Sequence, residues 1–303
     1  MPALFVVGWL ATVAGLGAVV LGILSRGGAA SAIVLVVGLA LLSIGLIAAA
    51  GSQGIERRVR AVAAYAGPSP FLVFGASIPV SILILIVTGL PLAALGVPLE
   101  GPLASLLSIA VEAVVYLALI RLLIVDTGAL GWREMGVRCP DLRALGEIGG
   151  GALWALPVIA LTVPVSAVLL SIFPVTPESP LPPTHEPVGF ALSLLAGVIV
   201  APFGEEVLFR GFATTAWIRG MGVRGGLVRA ALVFALAHVL TISGSSAGDA
   251  IGLAVVGFGT RVPIALALGL LFVRRGTIWS SFGLHAAFNG VLLVVAEVAS
   301  RTI

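Results

Sequence analysis

The residues best suited to chemistry stand in three short clusters in the last third of the chain, each inside a mainly apolar stretch. They are Glu205, Glu206 and Arg210 in the first, Phe234 and His238 in the second, and His285 and Asn289 in the third. Carboxylate and imidazole groups can move protons at neutral pH, and imidazole and carboxamide groups can donate hydrogen bonds to a developing oxyanion. If the helices that carry them converge, these groups supply what amide hydrolysis needs.

Glu206 and Arg210 are four residues apart, which places them on one face of a helix with the acid before the base. This spacing predicts an ion pair that neutralises Glu206. Glu205 is rotated by about 100° around the same helix, so its carboxylate is left to point elsewhere. The alternative is that both glutamates lie at the membrane interface and meet headgroup water.

Each histidine also has a simpler, structural interpretation when it is considered alone. A single histidine on an apolar helix, as at His238, is more often a packing residue than a ligand. His285 and Asn289 are four residues apart, so the imidazole and the carboxamide face the same point. The structural interpretation of His285 and Asn289 is an interhelical hydrogen-bonded pair worth about 1 kcal/mol. However, two of the three histidines and the only asparagine accompany the glutamate pair, and this conjunction favours a common site.

The composition predicts a membrane protein. Of the 303 residues, 60% are hydrophobic and 10% are charged, and the mean hydropathy is +1.23, whereas charged residues make up about 25% of soluble domains. So few charges cannot cover a soluble exterior, and lipid must be the solvent for most of the surface. The arginines are dispersed between apolar runs, where membrane topology accounts for them. We therefore expect no nucleic-acid partner.

We expect an all-α fold, a polytopic integral membrane helical bundle of about nine transmembrane helices with a range of eight to nine. A span needs about 20 mainly apolar residues, because a helix rises about 1.5 Å per residue across roughly 30 Å of hydrocarbon. The proline-rich segment from Pro174 to Pro187 predicts an extramembrane loop, and Gly149 to Gly151 are expected to permit close helix approach. The qualifying stretches are approximately 3–24, 31–50, 71–96, 102–125, 148–173, 188–208, 226–243, 249–273 and 277–300.

Arginine placement predicts the orientation. Positive residues accumulate in short cytoplasmic loops, and the even-numbered loops between the predicted spans are the ones rich in arginine, with Arg26 as the exception. The N-terminus is therefore expected inside.

Ionisable residues within a span are costly, at about 2.5–3.5 kcal/mol for a central Arg or Asp. The positions of Glu112 and Arg261 within predicted spans therefore need an explanation, which the sequence does not supply. Glu205 is expected towards the inner end of its span and His238 deeper in the membrane. That difference in depth requires bent or offset helices around a water-filled cavity.

The ordered motifs Glu-Glu-x-x-x-Arg, Phe-x-x-x-His and His-x-x-x-Asn resemble those of the CPBP family of intramembrane proteases, named for CAAX proteases and bacteriocin-processing enzymes and also called the Abi family. The run from Gly269 to His285 resembles the family's last block. The resemblance covers about 190–290, so we expect transmembrane helices of untyped role over 1–147 and a CPBP-like catalytic core over 148–303. The matching residues are Glu205, Glu206, Arg210, Phe234, His238, His285 and Asn289.

The resemblance implies a role for each matching residue. Glu205 and His238 would activate a water for attack on the scissile carbonyl, and His285 and Asn289 would stabilise the oxyanion. No cofactor and no metal ion is implied, and the alternative is a zinc ion held by Glu205, His238 and His285. The residues that would hold the others in place are Glu206, Arg210 and Phe234.

We therefore expect an intramembrane endopeptidase in the cell membrane of a prokaryote, acting on a membrane-associated protein or peptide. A prenylated CAAX substrate follows only by analogy. One alternative is a catalytically silent scaffold of the same family, which the sequence does not exclude. The other is a proton-coupled secondary transporter, because intramembrane Glu, His and Arg also form proton relays. Transporters usually show repeated halves, whereas these polar groups cluster in one third of the chain.

Overall fold

A computed structural model describes residues 2–25, 27–60, 64–177, 179 and 181–301. Within these ranges all regular structure is helical, and eight helices are long and apolar enough to span a membrane. The predicted all-α membrane bundle is thus confirmed at the lower end of the expected number, and the protein is an integral membrane protein. The side on which the N-terminus lies stays a prediction, and Arg26 lies outside the described residues.

The chain divides into two compact units, Met1–Gly131 and Trp132–Ile303. The functional division expected between residues 147 and 148 stays a prediction, and the unit that carries the three motif clusters begins at Trp132. Helices α5 and α6 together make one of the eight spans. The helices are α1 Pro2–Leu24, α2 Ala29–Arg60, α3 Pro70–Ala94, α4 Pro102–Val125, α5 Leu142–Ala152, α6 Ala155–Ile172, α7 Pro187–Ala237, α8 Ala247–Arg275 and α9 Ile278–Ser300.

The first unit contains α1 to α4. Helices α1 and α2 approach closely, because a Cβ at Gly15 would lie 2.4 Å from the Leu42 backbone nitrogen. On α4 the Tyr116 hydroxyl donates a hydrogen bond to Glu112 one turn away. The intramembrane carboxylate of this unit therefore has a partner on its own helix.

Helix α7 is too long to be one straight span. Its 51 residues would measure about 75 Å at about 1.5 Å per residue, against roughly 30 Å of hydrocarbon. The helix breaks at Gly222, whose φ of 78° and ψ of 170° suit a residue without a Cβ. The chain then folds back, since a Cβ at Gly226 would lie 2.6 Å from the Ile218 nitrogen and Phe234 packs against Phe209. Helix α7 is therefore a helical hairpin.

The count of eight long helices, against nine expected spans, follows from this hairpin. The predicted sixth and seventh stretches, 188–208 and 226–243, correspond to its two arms, which meet at Gly222 and are counted as one helix. Two π-helical segments interrupt the first arm, Leu195–Val200 and Glu206–Thr214. Segments of this kind occur frequently at functional sites, and these two flank Glu205.

Helices α5 and α9 are in backbone contact. A Cβ at Gly151 would lie 1.9 Å from the Ser280 carbonyl oxygen, and one at Gly283 would lie 2.1 Å from the Ile148 oxygen. The predicted close approach is thus confirmed at Gly151, whereas Gly149 faces open space. The contact fixes the part of α9 that lies just before His285.

We expect Gly283→Ala to destabilise the protein by about 1–3 kcal/mol, because the new methyl group overlaps a backbone oxygen that cannot move aside. Thermal unfolding of the purified protein in detergent would measure the loss as a lower Tm. The matched control is Gly149→Ala on the facing helix, where the methyl group meets nothing and alanine favours the helix by about 0.5–1 kcal/mol. Equal melting temperatures for the two variants would contradict this packing.

Glu297 of α9 forms hydrogen bonds with the loop that precedes α7. This carboxylate accepts hydrogen bonds from the backbone N–H groups of Thr184, at 2.8 Å, and His185, at 3.0 Å. It also pairs with Arg301 at 2.9 Å. The described residues of the predicted loop between Phe173 and α7 are non-helical, and His185 is exposed.

Candidate active site

The α7 hairpin brings the side chains of Glu205 and His238 together. Gly222 lies almost midway between them in the chain, so Glu205 in the first arm and His238, directly after the second arm, are at a similar distance from the turn. Their nearest atoms, Glu205 Oε2 and His238 Nε2, are 3.5 Å apart. The sequence suggested different depths for Glu205 and His238, and this expectation is wrong because the two side chains are in contact.

Helix α9 adds His285 to the same cluster. Its Nδ1 is 2.9 Å from Glu206 Oε1, and its Nε2 is 3.8 Å from Glu205 Oε2. The imidazole therefore lies between two carboxylates that are adjacent in the chain. Glu205 faces both histidines, whereas Glu206 contacts His285 and the arginine one turn later.

The ion pair expected from the spacing of Glu206 and Arg210 is present. Arg210 Nη1 lies 3.1 Å from Glu206 Oε1, and the two side chains are 2% and 0% exposed. Glu206 is therefore not an interfacial residue in headgroup water. The guanidinium carbon also lies 4.1 Å from the centre of the Phe234 ring, so a carboxylate and an aromatic face together stabilise the buried cation.

Phe234 lies at the centre of the cluster. Its ring centre is 4.4 Å from that of His238 and 5.8 Å from that of His285, and its edge-on contact with Phe209 is at 5.2 Å. The Phe234 carbonyl oxygen is 2.8 Å from His238 Nδ1. Because a carbonyl can only accept, Nδ1 carries the hydrogen, and Nε2 of the neutral ring is an acceptor that faces Glu205.

Asn289 lies one turn after His285 and joins α9 to the first arm of α7. Its side-chain nitrogen donates to the Gly197 carbonyl oxygen at 2.9 Å, within the π-helical segment Leu195–Val200. Sequence reasoning missed Gly197, because a backbone carbonyl has no residue-specific signature. The oxyanion role of Asn289 stays a prediction, for which its carboxamide has a second N–H.

The cluster is accessible on one side. The side chains of Glu205 and His238 are 19% and 27% exposed, whereas those of Glu206, Arg210 and His285 are at most 5% exposed. The pair expected to activate water is therefore the more exposed part of the cluster, although Glu205 Oε2 itself is buried, and the charged residues behind the pair are almost fully buried.

A zinc ion bound by Glu205, His238 and His285 was the alternative to a metal-free site. Across the described ranges, no group of three or more His, Cys, Asp or Glu side chains is arranged to hold a metal ion. Glu205 Oε2 lies within 3.8 Å of both Nε2 atoms, and the other nitrogen of His285 contacts Glu206. Independence from metal ions stays a prediction.

Comparison with known proteins identifies a family for this region. A family model named Rce1-like, with the description type II CAAX prenyl endopeptidase Rce1-like, matches residues 187–291. The matched segment runs from the start of α7 into α9 and contains every motif residue named above. The resemblance to the CPBP family of CAAX proteases is thereby confirmed. No curated protein and no solved structure matches the chain.

Proposed function

We propose that this chain is an intramembrane endopeptidase that hydrolyses a peptide bond with a water activated by Glu205 and His238. Its substrate would be a membrane-associated protein or peptide, cut in the cell membrane of a prokaryote. The observation that carries the proposal is the 3.5 Å separation of Glu205 Oε2 and His238 Nε2 in the more exposed part of an otherwise buried cluster. The match of residues 187–291 to a CAAX prenyl endopeptidase family supports the same reaction.

The tautomer of His238 suits it to bind the attacking water. Its Nδ1 is bonded to the Phe234 carbonyl, so the neutral ring presents the Nε2 lone pair to the Glu205 carboxylate. Two acceptors cannot bond each other, but one water can donate a hydrogen to each. Glu205 takes a proton as the water oxygen attacks the scissile carbonyl carbon. It returns that proton to the leaving nitrogen when the C–N bond breaks.

His285 and Asn289 would stabilise the oxyanion that this attack creates. In its imidazolium form His285 donates through Nδ1 to Glu206, at 2.9 Å, and through Nε2 to the oxyanion. Asn289 is held by Gly197 and offers its second N–H. Donors that are fixed in place in a low-dielectric site stabilise developing charge without reorganising. Glu206 would position the imidazole.

We also propose that hydrolysis requires no metal ion. The support is that no group of three or more His, Cys, Asp or Glu side chains among the described residues is arranged to hold a metal ion. Dialysis of the purified protein against a strong chelator is expected to leave the cleavage rate unchanged, and metal analysis is expected to find no stoichiometric zinc. A loss of activity that added zinc restores would show that zinc is needed after all.

Comparative membrane proteomics would test the function and identify the substrate. Two strains produce the wild-type chain or Glu205→Gln at equal levels. We expect an uncut membrane protein or peptide to accumulate with Glu205→Gln, and a fragment with a new carboxyl terminus to appear only with the wild type. Identical profiles would contradict the protease proposal and support a silent scaffold.

A further inference from the structure

Arg261 is the middle residue of α8, Ala247–Arg275. At about 1.5 Å per residue it lies roughly 20 Å from either end of that helix, farther than an arginine side chain extends. Snorkelling to the interface therefore does not account for it. Because a central arginine costs about 2.5–3.5 kcal/mol on insertion, its charge needs a compensating interaction.

No carboxylate of the described residues forms a salt bridge with Arg261. Its Nη1 donates at 2.9 Å to the Gly257 carbonyl of its own helix, and the side chain is only partly buried. A guanidinium has five N–H donors, so most of them remain for another group. Arg210, with its buried carboxylate partner, is the contrasting case.

Arg261 also lies beside the catalytic pair. Its Nη1 and the Val239 side chain are each 3.2 Å from the position that a Cβ at Gly257 would occupy, which places the guanidinium next to the residue that follows His238. It is close enough to Glu205 for the two charges to interact. The guanidinium is therefore near the pair Glu205 and His238.

We propose that Arg261 binds a carboxylate of the substrate peptide and so selects which peptide bond is cut. This inference rests on the proposed function. A guanidinium can give a carboxylate two parallel N–H bonds, and their attraction is stronger in apolar surroundings than in water. A lipid headgroup phosphate does not match the mid-helix position. The carboxylate is the peptide's own terminus or an acidic side chain. It lies a few residues from the scissile bond, since an extended residue spans only about 3.3–3.6 Å.

Short N-acylated peptides with mixed apolar residues near the C-terminus provide the probe. One pool has a free C-terminal carboxylate, a second has a C-terminal amide, and a third and a fourth, both amidated, carry Asp or Asn near the end. In nanodiscs the wild type is expected to cut one carboxylate pool at least about tenfold faster than its neutral counterpart, the effect of one charge-assisted interaction. Which pool is preferred identifies the source of the carboxylate.

Arg261→Gln is expected to abolish this preference while still cutting the neutral peptides. The matched control is Arg274→Gln, which removes an exposed charge from the end of the same helix and is expected to keep the preference. The inference is overturned if the wild type shows no preference, if Arg261→Gln retains it, or if Arg261→Gln slows all pools equally. The last result would mean that Arg261 only balances the charge of Glu205.

Retention of the same pools by immobilised protein separates this inference from the proposed function. Preferential retention of a carboxylate pool by the wild type, lost in Arg261→Gln, supports the inference even if no peptide is cut. In that event the protease proposal alone fails. Equal retention of all pools, or no retention of any, overturns the inference and leaves the protease proposal to be judged by cleavage.

Discussion

Replacement of Glu205 by glutamine is expected to lower the rate of peptide cleavage by about 100- to 10,000-fold, the contribution typical of a general base. The amide has nearly the shape of the carboxylate but cannot accept the proton of the attacking water. Since Glu205 is partly exposed and its charge is not needed by the Glu206–Arg210 pair, the folded protein should remain. Cleavage of a membrane-tethered peptide in proteoliposomes, with gel filtration of the same samples, measures both properties.

The matched control for this variant is Glu134→Gln. Glu134 belongs to the same compact unit but pairs with Arg219 at 2.6 Å away from the motif cluster, so its loss should leave the cleavage rate unchanged. The catalytic assignment of Glu205 is wrong if Glu205→Gln cleaves as fast as Glu134→Gln. It is also wrong if both variants lose activity to the same extent.

Replacement of Arg210 by methionine is expected to destabilise the fold by about 3–5 kcal/mol, the cost of leaving a buried carboxylate without its cation. Glu206 is fully buried and its Oε1 lies between Arg210 Nη1 and His285 Nδ1, so the carboxylate cannot turn to water. Methionine keeps much of the apolar contact with Phe234. The free energy of unfolding in mixed detergent micelles is the quantity to measure.

Two further variants separate loss of charge pairing from loss of packing. Glu206→Gln combined with Arg210→Met removes both charges and should recover part of the stability lost in Arg210→Met. Arg60→Met is the exposed counterpart, since Arg60 and Glu56 have the same spacing and a 2.9 Å contact on the surface. That change should cost less than about 1 kcal/mol. A stability loss in Arg210→Met no larger than in Arg60→Met would contradict the role assigned to the buried pair.

The sequence could predict the local part of this site. Helical spacing alone indicated that Glu206 would meet Arg210 and that Glu205 would be left for another partner, because residues four apart are neighbours on any helix. The composition likewise indicated a membrane bundle, since lipid is the only solvent that tolerates such a surface. The first inference uses the geometry of a single helix, and the second uses the solvation of the whole chain.

The non-local part could not be predicted in the same way. The turn at Gly222 is marked by nearby glycines, but glycine is also frequent in straight membrane helices, so its presence did not indicate where the chain turns back. The contact between His285 and Glu206 depends on how α9 lies against α7. The bond from Asn289 to Gly197 depends on a backbone carbonyl.

A double-mutant cycle on Glu205 and His238 tests the central claim most directly. Rates of cleavage of one membrane-tethered peptide are measured for the wild type, Glu205→Gln, His238→Gln and the double variant. Residues that act as a unit on one water give losses that do not multiply, so the double variant should be no slower than either single one. A wild-type rate in either single variant, or losses that multiply in the double variant, would contradict a water activated jointly by Glu205 and His238.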